Sequence, residues 1–153
     1  MGSYVNAESL YNSKTDVLGM VCYEIIGYFS EAPASQNYPT KELRDLYPDT
    51  ANFIIVVGIE PCNPFNQQFF KTMKTGYEID VQMIEFENAR IGLASMSEQM
   101  NYWEFNYNVV MINDTSFLRN PNYHLPSDTI EILDFDKMRM VVDSTYNAII
   151  KIS

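Results

Sequence analysis

Asn52-Phe53-Ile54-Ile55-Val56-Val57-Gly58-Ile59-Glu60 is the stretch on which the fold turns. It is an almost unbroken apolar, β-branched run, bounded before by Pro48-Asp49 and after by Pro61 and Pro64. A strand with one wet face alternates apolar and polar residues. This one is apolar on both faces, so both must be covered. It is too short to span a bilayer and too rich in β-branched residues for a helix. The reading is a central strand, with neighbours on both sides and a layer packed on each face.

The rest of the chain supplies those layers. At 153 residues it reads as one domain, of a size that buries about 68–70% of its unfolded surface, so a core forms without a disulfide or metal staple. With 46% hydrophobic and 14% aromatic residues, global disorder is excluded. The net charge is −10, with ten Lys and Arg. That balance argues against sequence-specific nucleic-acid binding and against a membrane surface, both of which call for a basic field. Cys22 and Cys62 stand forty residues apart, outside any CxxC pattern and away from His. They read as buried free thiols rather than zinc ligands. The chain opens without a basic region followed by an apolar one, so no leader peptide is expected there.

Residues 1–12 are polar and read as an N-terminal arm. Ser13 with Asp16 has capping-box form, and Leu18, Val21, Ile25 and Tyr28 recur at three and four residues, which predicts a helix over Lys14–Ser30. The rival is a strand, since Val17, Val21, Tyr23, Ile25 and Phe29 share one parity. Glu31–Thr50 is a long connection with one short helical turn at Thr40–Leu46. Pro61–Thr75 reads as an aromatic arm or edge strand, Tyr77–Phe86 as a second strand, and Phe86, Ala89, Leu93, Met96 and Met100 as an amphipathic helix. Asn101–Asn113 alternates as a strand with an aromatic face. The tail, Thr129–Asp134, Met138–Val142 and Tyr146–Ile152, reads as a meander.

No chemistry stands out. His124 is the only histidine and reads as a surface-loop residue without the partners a general base needs. Asp134-Phe135-Asp136 starts like a calcium loop, but Met138 and Met140 occupy positions that require oxygen ligands. The six glycines are scattered, so no phosphate-cradling loop exists. Catalytic residues, cofactors and metal ligands are therefore not expected. The rings of Tyr102, Trp103, Phe105 and Tyr107 read as core or subunit contact.

The element order over about residues 14–152, with strand running into helix at Tyr77–Met100, resembles the small tail-completion or neck proteins of tailed bacteriophages, which form rings at the head–tail junction. That resemblance implies an α+β fold with a mostly antiparallel sheet and a ring-shaped homo-oligomer contacting other structural proteins. It implies no enzymatic activity, and a place in the virion or, during assembly, the host cytoplasm. The alternative is a secreted or surface β-sandwich binding module with an aromatic ligand platform, Met1-Gly2-Ser3 replacing a leader.

Interaction residues are expected from the charge pattern. The aromatic arm carries Phe65, Phe69, Phe70, Lys71 and Lys74, and the acidic tail carries Asp134 and Asp136. A heterologous contact is expected in which the arm of one subunit meets the acidic tail of the next. Such a contact strengthens at low salt, and Lys71→Glu with Lys74→Glu weakens it in sedimentation experiments. Assembly of the double variant equal to wild type at both high and low salt would refute it.

Overall fold

The computed structural model describes residues 2–75, 78–87, 92–95 and 97–153, with the backbone alone at 93 and 94. Helix α1 (Gly2–Asn12) leads to strand β1 (Met20–Tyr23), a short α2 (Lys41–Leu46), β2 (Phe53–Ile59), α3 (Pro64–Met73), β3 (Asp80–Phe86), a short α4 (Gln99–Trp103), β4 (Val109–Asn113) and the long α5 (Phe135–Ile152). The strands form one sheet in the order β1-β4-β2-β3. The fold is α+β with a mixed sheet.

The NFIIVVGIE run is β2, flanked by β4 and β3 and buried from Phe53 to Gly58. Its two faces feed two cores. Ile54 and Val56 pack with Phe69, Met73, Val81, Val110, Ile112, Val141 and Ala148 beneath α3 and α5. Phe53, Ile55 and Val57 pack with Cys22, Trp103, Val109 and Met111 on the α4 side. Period-two alternation thus sorts β2 and β4 between two layers.

The expected mostly antiparallel sheet is corrected. β1 pairs with β4 and β2 with β3 in parallel, and only β2 with β4 is antiparallel. Parallel pairing of β2 and β3 comes from the crossover helix α3 between them. Pro61–Thr75 is not an arm, because Asn63 accepts the Asn66 amide at 2.8 Å and Pro64 starts the helix. Proline at the first helical position is preorganised for a helix rather than a breaker.

Three further expectations change. Of the expected N-terminal arm, Gly2–Asn12 form α1, tied down by Asn101 Nδ2 donating to Ser3 Oγ at 2.8 Å and by Tyr4 and Tyr11 rings against Phe105. The helix expected over Lys14–Ser30 is not formed, and the rival strand is confined to Met20–Tyr23 (β1), where the chain pairs with β4; the rest of the segment is irregular. The tail is α5: Asp134 caps it by accepting from the Lys137 amide at 2.9 Å, and Val141, Ser144, Thr145 and Ala148 face inward at helical spacing. The helical turn expected at Thr40–Leu46 is present as α2, capped by Thr40. Of the expected helix Phe86–Met100, Ala89 and Met96 lie outside the described residues, as does Tyr77 at the start of the second strand. The described part holds the end of β3, a 3₁₀ turn at Gly92–Ser95 and the start of α4. Asn101–Asn113 divides into the rest of α4, a turn and β4. The element order behind the neck-protein resemblance is therefore not the order found.

Gly19 and Gly27, blemishes in a helix, have another use here. A Cβ on Gly19 would meet the Phe65 ring at 2.3–2.8 Å, and one on Gly27 would meet Leu133 Cδ2 at 3.0 Å. The chain entering β1 is overlaid by an aromatic ring of α3, which only glycine permits. Gly19→Ala is expected to cost ~1–3 kcal/mol by overpacking, lowering the melting temperature by roughly 3–9 °C at this size. A midpoint unchanged within a degree would show that Phe65 swings away freely.

Candidate functional site

The carboxyl ends of the parallel pair β1 and β4 lie side by side, the position where α/β sheets present ligand sites. Both strands stop there for a physical reason. After β4, Asp114 is fully buried and its carboxylate accepts three backbone amides: Gly27 at 3.1 Å, Tyr28 at 2.9 Å and Ser116 at 2.9 Å. Thr115 and Ser116 then adopt left-handed φ of 75° and 51°. A β-branched residue in that region is strained by ~1–3 kcal/mol and persists only where its surroundings impose it.

Arg119 imposes much of it. Its guanidinium is buried, donating from Nε to Gln36 Oε1 at 2.9 Å and Thr115 Oγ1 at 3.0 Å, and from Nη1 to the Phe53 carbonyl at 2.8 Å. It also lies 4.6 Å over the Phe53 ring. Burial pulls its pKa down to about 10, against the neighbouring Asp114 charge, which raises it. Burial pushes the Asp114 carboxyl above the usual carboxylate range, against its amide bonds and Arg119.

At the mouth above this floor, side chains from distant segments converge. The hydroxyl of Ser97, buried, lies within hydrogen-bond reach of Glu98 Oε2 at 2.8 Å and of Glu24 Oε2, on the residue just past β1, and can donate to one of them at a time. Cys22 Sγ lies 3.9 Å from Ser97 Oγ, and burial holds its thiol above the ordinary cysteine value. Cys22, Glu24 and Glu98 can each offer a ligand atom within 4.8 Å of the others. A serine hydroxyl carries one proton, yet two carboxylates face this one. A thiol with two carboxylates suits a borderline cation such as Zn²⁺, and two carboxylates suit an ammonium group. A small cavity of about 40 Å³ opens beside them, lined by Glu24 and Ser97 together with Met111, Asn113, Ser116, Phe117 and Tyr123. His124 stacks on Tyr123 with ring centroids 3.9 Å apart.

Phe117 also lines a second, much larger cavity of about 470 Å³, walled by Tyr38, Tyr47, Phe53, Ile84 and Phe86. The tyrosine hydroxyls are spent on backbone carbonyls, Tyr38 on Pro48 at 2.6 Å and Tyr47 on Met83 at 2.7 Å. Their rings therefore present carbon to the cavity, and burial raises the Tyr38 pKa to about 12. The volume is that of a small-molecule site.

The residues expected to make an interaction surface lie elsewhere. Phe69 is fully buried, and Phe65 and Phe70 pack against the same core from α3. Lys71 is exposed on that helix, and Lys74 stands 5.5 Å over Phe70. Asp134 is the α5 cap and Asp136 sits in its first turn. Among the described residues no ion pair joins these lysines to these aspartates; Phe69 is core, and Phe65 and Phe70 are half-buried against it. Cys22 and Cys62 are both free. Sequence reasoning missed the cluster because Cys22 and Ser97 are 75 residues apart. No described helix is long and apolar enough to cross a membrane.

No family model matches the chain. YfbL of Escherichia coli (strain K12), an uncharacterized protein, is 40% identical over 144 residues, which make up 94% of this chain and 43% of YfbL. The Legionella pneumophila LapA aminopeptidase superposes with a TM-score of 0.68 at 15% identity, over 99% of this chain and 34% of that one. LapB of the same organism superposes with a TM-score of 0.61 at 17% identity, over 99% and 35%. The chain thus spans less than half of the curated relative and about a third of each solved structure. At these identities the structural likeness is one of fold. The expectation of a protein without enzymatic activity is corrected on this finding, since the fold is one that an aminopeptidase carries.

The floor generates a prediction. Arg119→Met should destabilise by ~3 kcal/mol, because it takes the Arg119 donor from the buried Phe53 carbonyl and leaves Gln36 Oε1 with Thr115 Oγ1 alone, at 3.1 Å. Because its pKa is raised, Asp114 holds its proton in the folded state to higher pH than in the unfolded chain. The stability it contributes is full below the unfolded value and falls as pH rises through the folded one. Carbonyl-detected NMR titration should place Asp114 above an exposed aspartate; a value at or below it would show the amide bonds outweighing burial.

Proposed function

We propose that this chain carries part of an aminopeptidase-like site, binding a cation at Glu24, Ser97 and Glu98 and an apolar peptide side chain in the adjoining cavity. The observation that carries the reading is adjacency: Phe117 separates a proton-poor acidic cluster from an apolar cavity of about 470 Å³. A peptide amino terminus joins a cation to a side chain within a few ångströms, and this arrangement is complementary to that combination. The likeness to the LapA aminopeptidase supports it at the level of fold. The cation is the peptide's own ammonium group or a divalent ion held by Cys22, Glu24 and Glu98. In the second case Ser97 yields its central place and a fourth coordination position stays open.

Calorimetric titration with phenylalanine amide, alone and with Zn²⁺, tests the reading. Wild type should bind the amide, and Glu24→Gln should weaken it at least tenfold, about 1.4 kcal/mol. Phe117→Glu, at an exposed position, should do the same by placing a carboxylate between the two cavities, with little change in melting temperature. Zn²⁺ that tightens amide binding in wild type but not in Glu24→Gln assigns the cluster to a metal. Amide binding that is absent, or indifferent to both substitutions, removes the proposal.

A further inference from the structure

We infer that the free edge of β1, with the apolar flank of α5 that overhangs it, is a docking surface for a β-strand from polypeptide beyond these 153 residues. The inference is independent of what the acidic cluster binds.

β1 is an edge strand, with β4 on its inner side only. The amides of Met20 and Glu24 donate inward to Asn108 and Ile112 at 2.8 and 3.0 Å. By strand alternation Val21 and Tyr23 direct their backbone groups outward, and among the described residues these have no hydrogen-bond partner. Natural sheets blunt such edges with charge, proline or a covering element. This one has Met-Val-Cys-Tyr, with Tyr23 and the preceding Leu18 exposed.

The helix above it has the same character. Val141 and Ala148 of α5 point into the core with Val21 of β1, and the Tyr23 side chain reaches Thr145. At 3.6 residues per turn, Thr145 lies ~40° round from Val141, on the side toward β1. Going further the same way, Ile149, Val142, Phe135 and Tyr146 lie at ~80–140°. All four are exposed, from 43% at Ile149 to 63% at Tyr146. An apolar helix flank therefore continues from the buried face out over an unpaired strand edge. Scattered exposed apolar residues need no explanation, but a contiguous stripe beside open backbone does. A strand added here would pair with Val21 and Tyr23 and bury the stripe, which is recognition by β-augmentation.

The occupant is further polypeptide rather than a second copy. YfbL has more than half its length outside the matched region, and the LapA and LapB chains have about two-thirds, so each carries enough chain to extend this sheet. A second copy would bring together two chains of net charge −10, with Glu24 at the end of each edge. An added strand would also border the acidic cluster, since Glu24 immediately follows β1.

The test is amide hydrogen exchange in two full chains: this protein alone, and YfbL with its matched region replaced by this sequence. Val21 and Tyr23 amides should exchange at least tenfold more slowly in the chimera. Val142→Asp with Tyr146→Glu should abolish that protection, while leaving the melting temperature of the 153-residue chain within about 2 °C, as expected for exposed positions. Val21→Pro, which removes one outward amide from an edge position that tolerates proline, should also release Tyr23. Equal exchange in both chains overturns the inference. So does an isolated chain that sediments as a dimer and protects the same two amides, which would assign the edge to a second copy.

Discussion

Much of this structure hangs on one buried carboxylate. Asp114 accepts amides from Gly27 and Tyr28, in the segment leaving β1, and from Ser116, in the segment leaving β4. It therefore joins the ends of two parallel strands that are nearly ninety residues apart in sequence. Without an internal acceptor those amides would be orphaned under the α5 layer, at ~1–3 kcal/mol each. Arg119 completes the arrangement from the other side by donating to Phe53, the first residue of β2. Charged groups this deep are costly to desolvate, and the displaced pKa values of both residues register that cost. The polar floor thereby specifies where three strands end, and the left-handed Thr115 and Ser116 are held in the geometry that aims Ser116 and Phe117 at the cavities.

How much of this was legible in the sequence depended on whether burial and hydrophobicity coincided. In β2 they do, and its place at the centre of the sheet is readable from Asn52–Glu60 alone. In α5 they coincide only in part. The helix buries Val141 and Ala148 together with Ser144 and Thr145 and exposes Val142, Tyr146, Ile149 and Ile150, so its apolar residues fall on both faces and its β-branched content imitates strands. Thr145 satisfies itself on the Val141 carbonyl at 2.8 Å, which makes a polar residue cheap to bury. In α3 the signal was present but ambiguous, because a proline such as Pro64 can close an extended segment or open a helix. The helix α1 has one buried residue, Ala7, and carries almost no periodic signal.

The site was less legible than the fold, for a related reason. Cys22, Glu24, Ser97 and Glu98 are each ordinary residues, and in sequence form no spacing that chemistry recognises. They meet because β1 lies parallel to β4, and parallel neighbours are brought together by crossovers that local patterns do not encode. The apolar cavity is hidden in the same way: Tyr38 and Tyr47 come from the long connection, Phe86 from the edge of the sheet and Phe117 from the turn after β4. What could have marked the region is Asn113-Asp114-Thr115-Ser116, four small polar residues directly after a strand of apolar ones, a stretch that can accept backbone amides and tolerate tight turns.

The open edge and the site are parts of one geometry. β1 has only four residues, two of them turned inward to β4, and it ends at Glu24. Whatever covers its outer side would border the acidic cluster on the flank that the described residues leave bare, whereas β4, the Asp114 turn and Tyr123 border it on the other. A cluster with one hydroxyl proton for two carboxylates is short of positive charge, and among the described residues no Lys or Arg forms an ion pair with Glu24 or Glu98. Complementarity at that edge therefore calls for a strand that is apolar where it meets Val142 and Tyr146 and cationic, or cation-binding, where it passes Glu24. Fold alone does not fix chemistry; here the charge deficit at the strand ends says what a strand docked on that edge would have to bring.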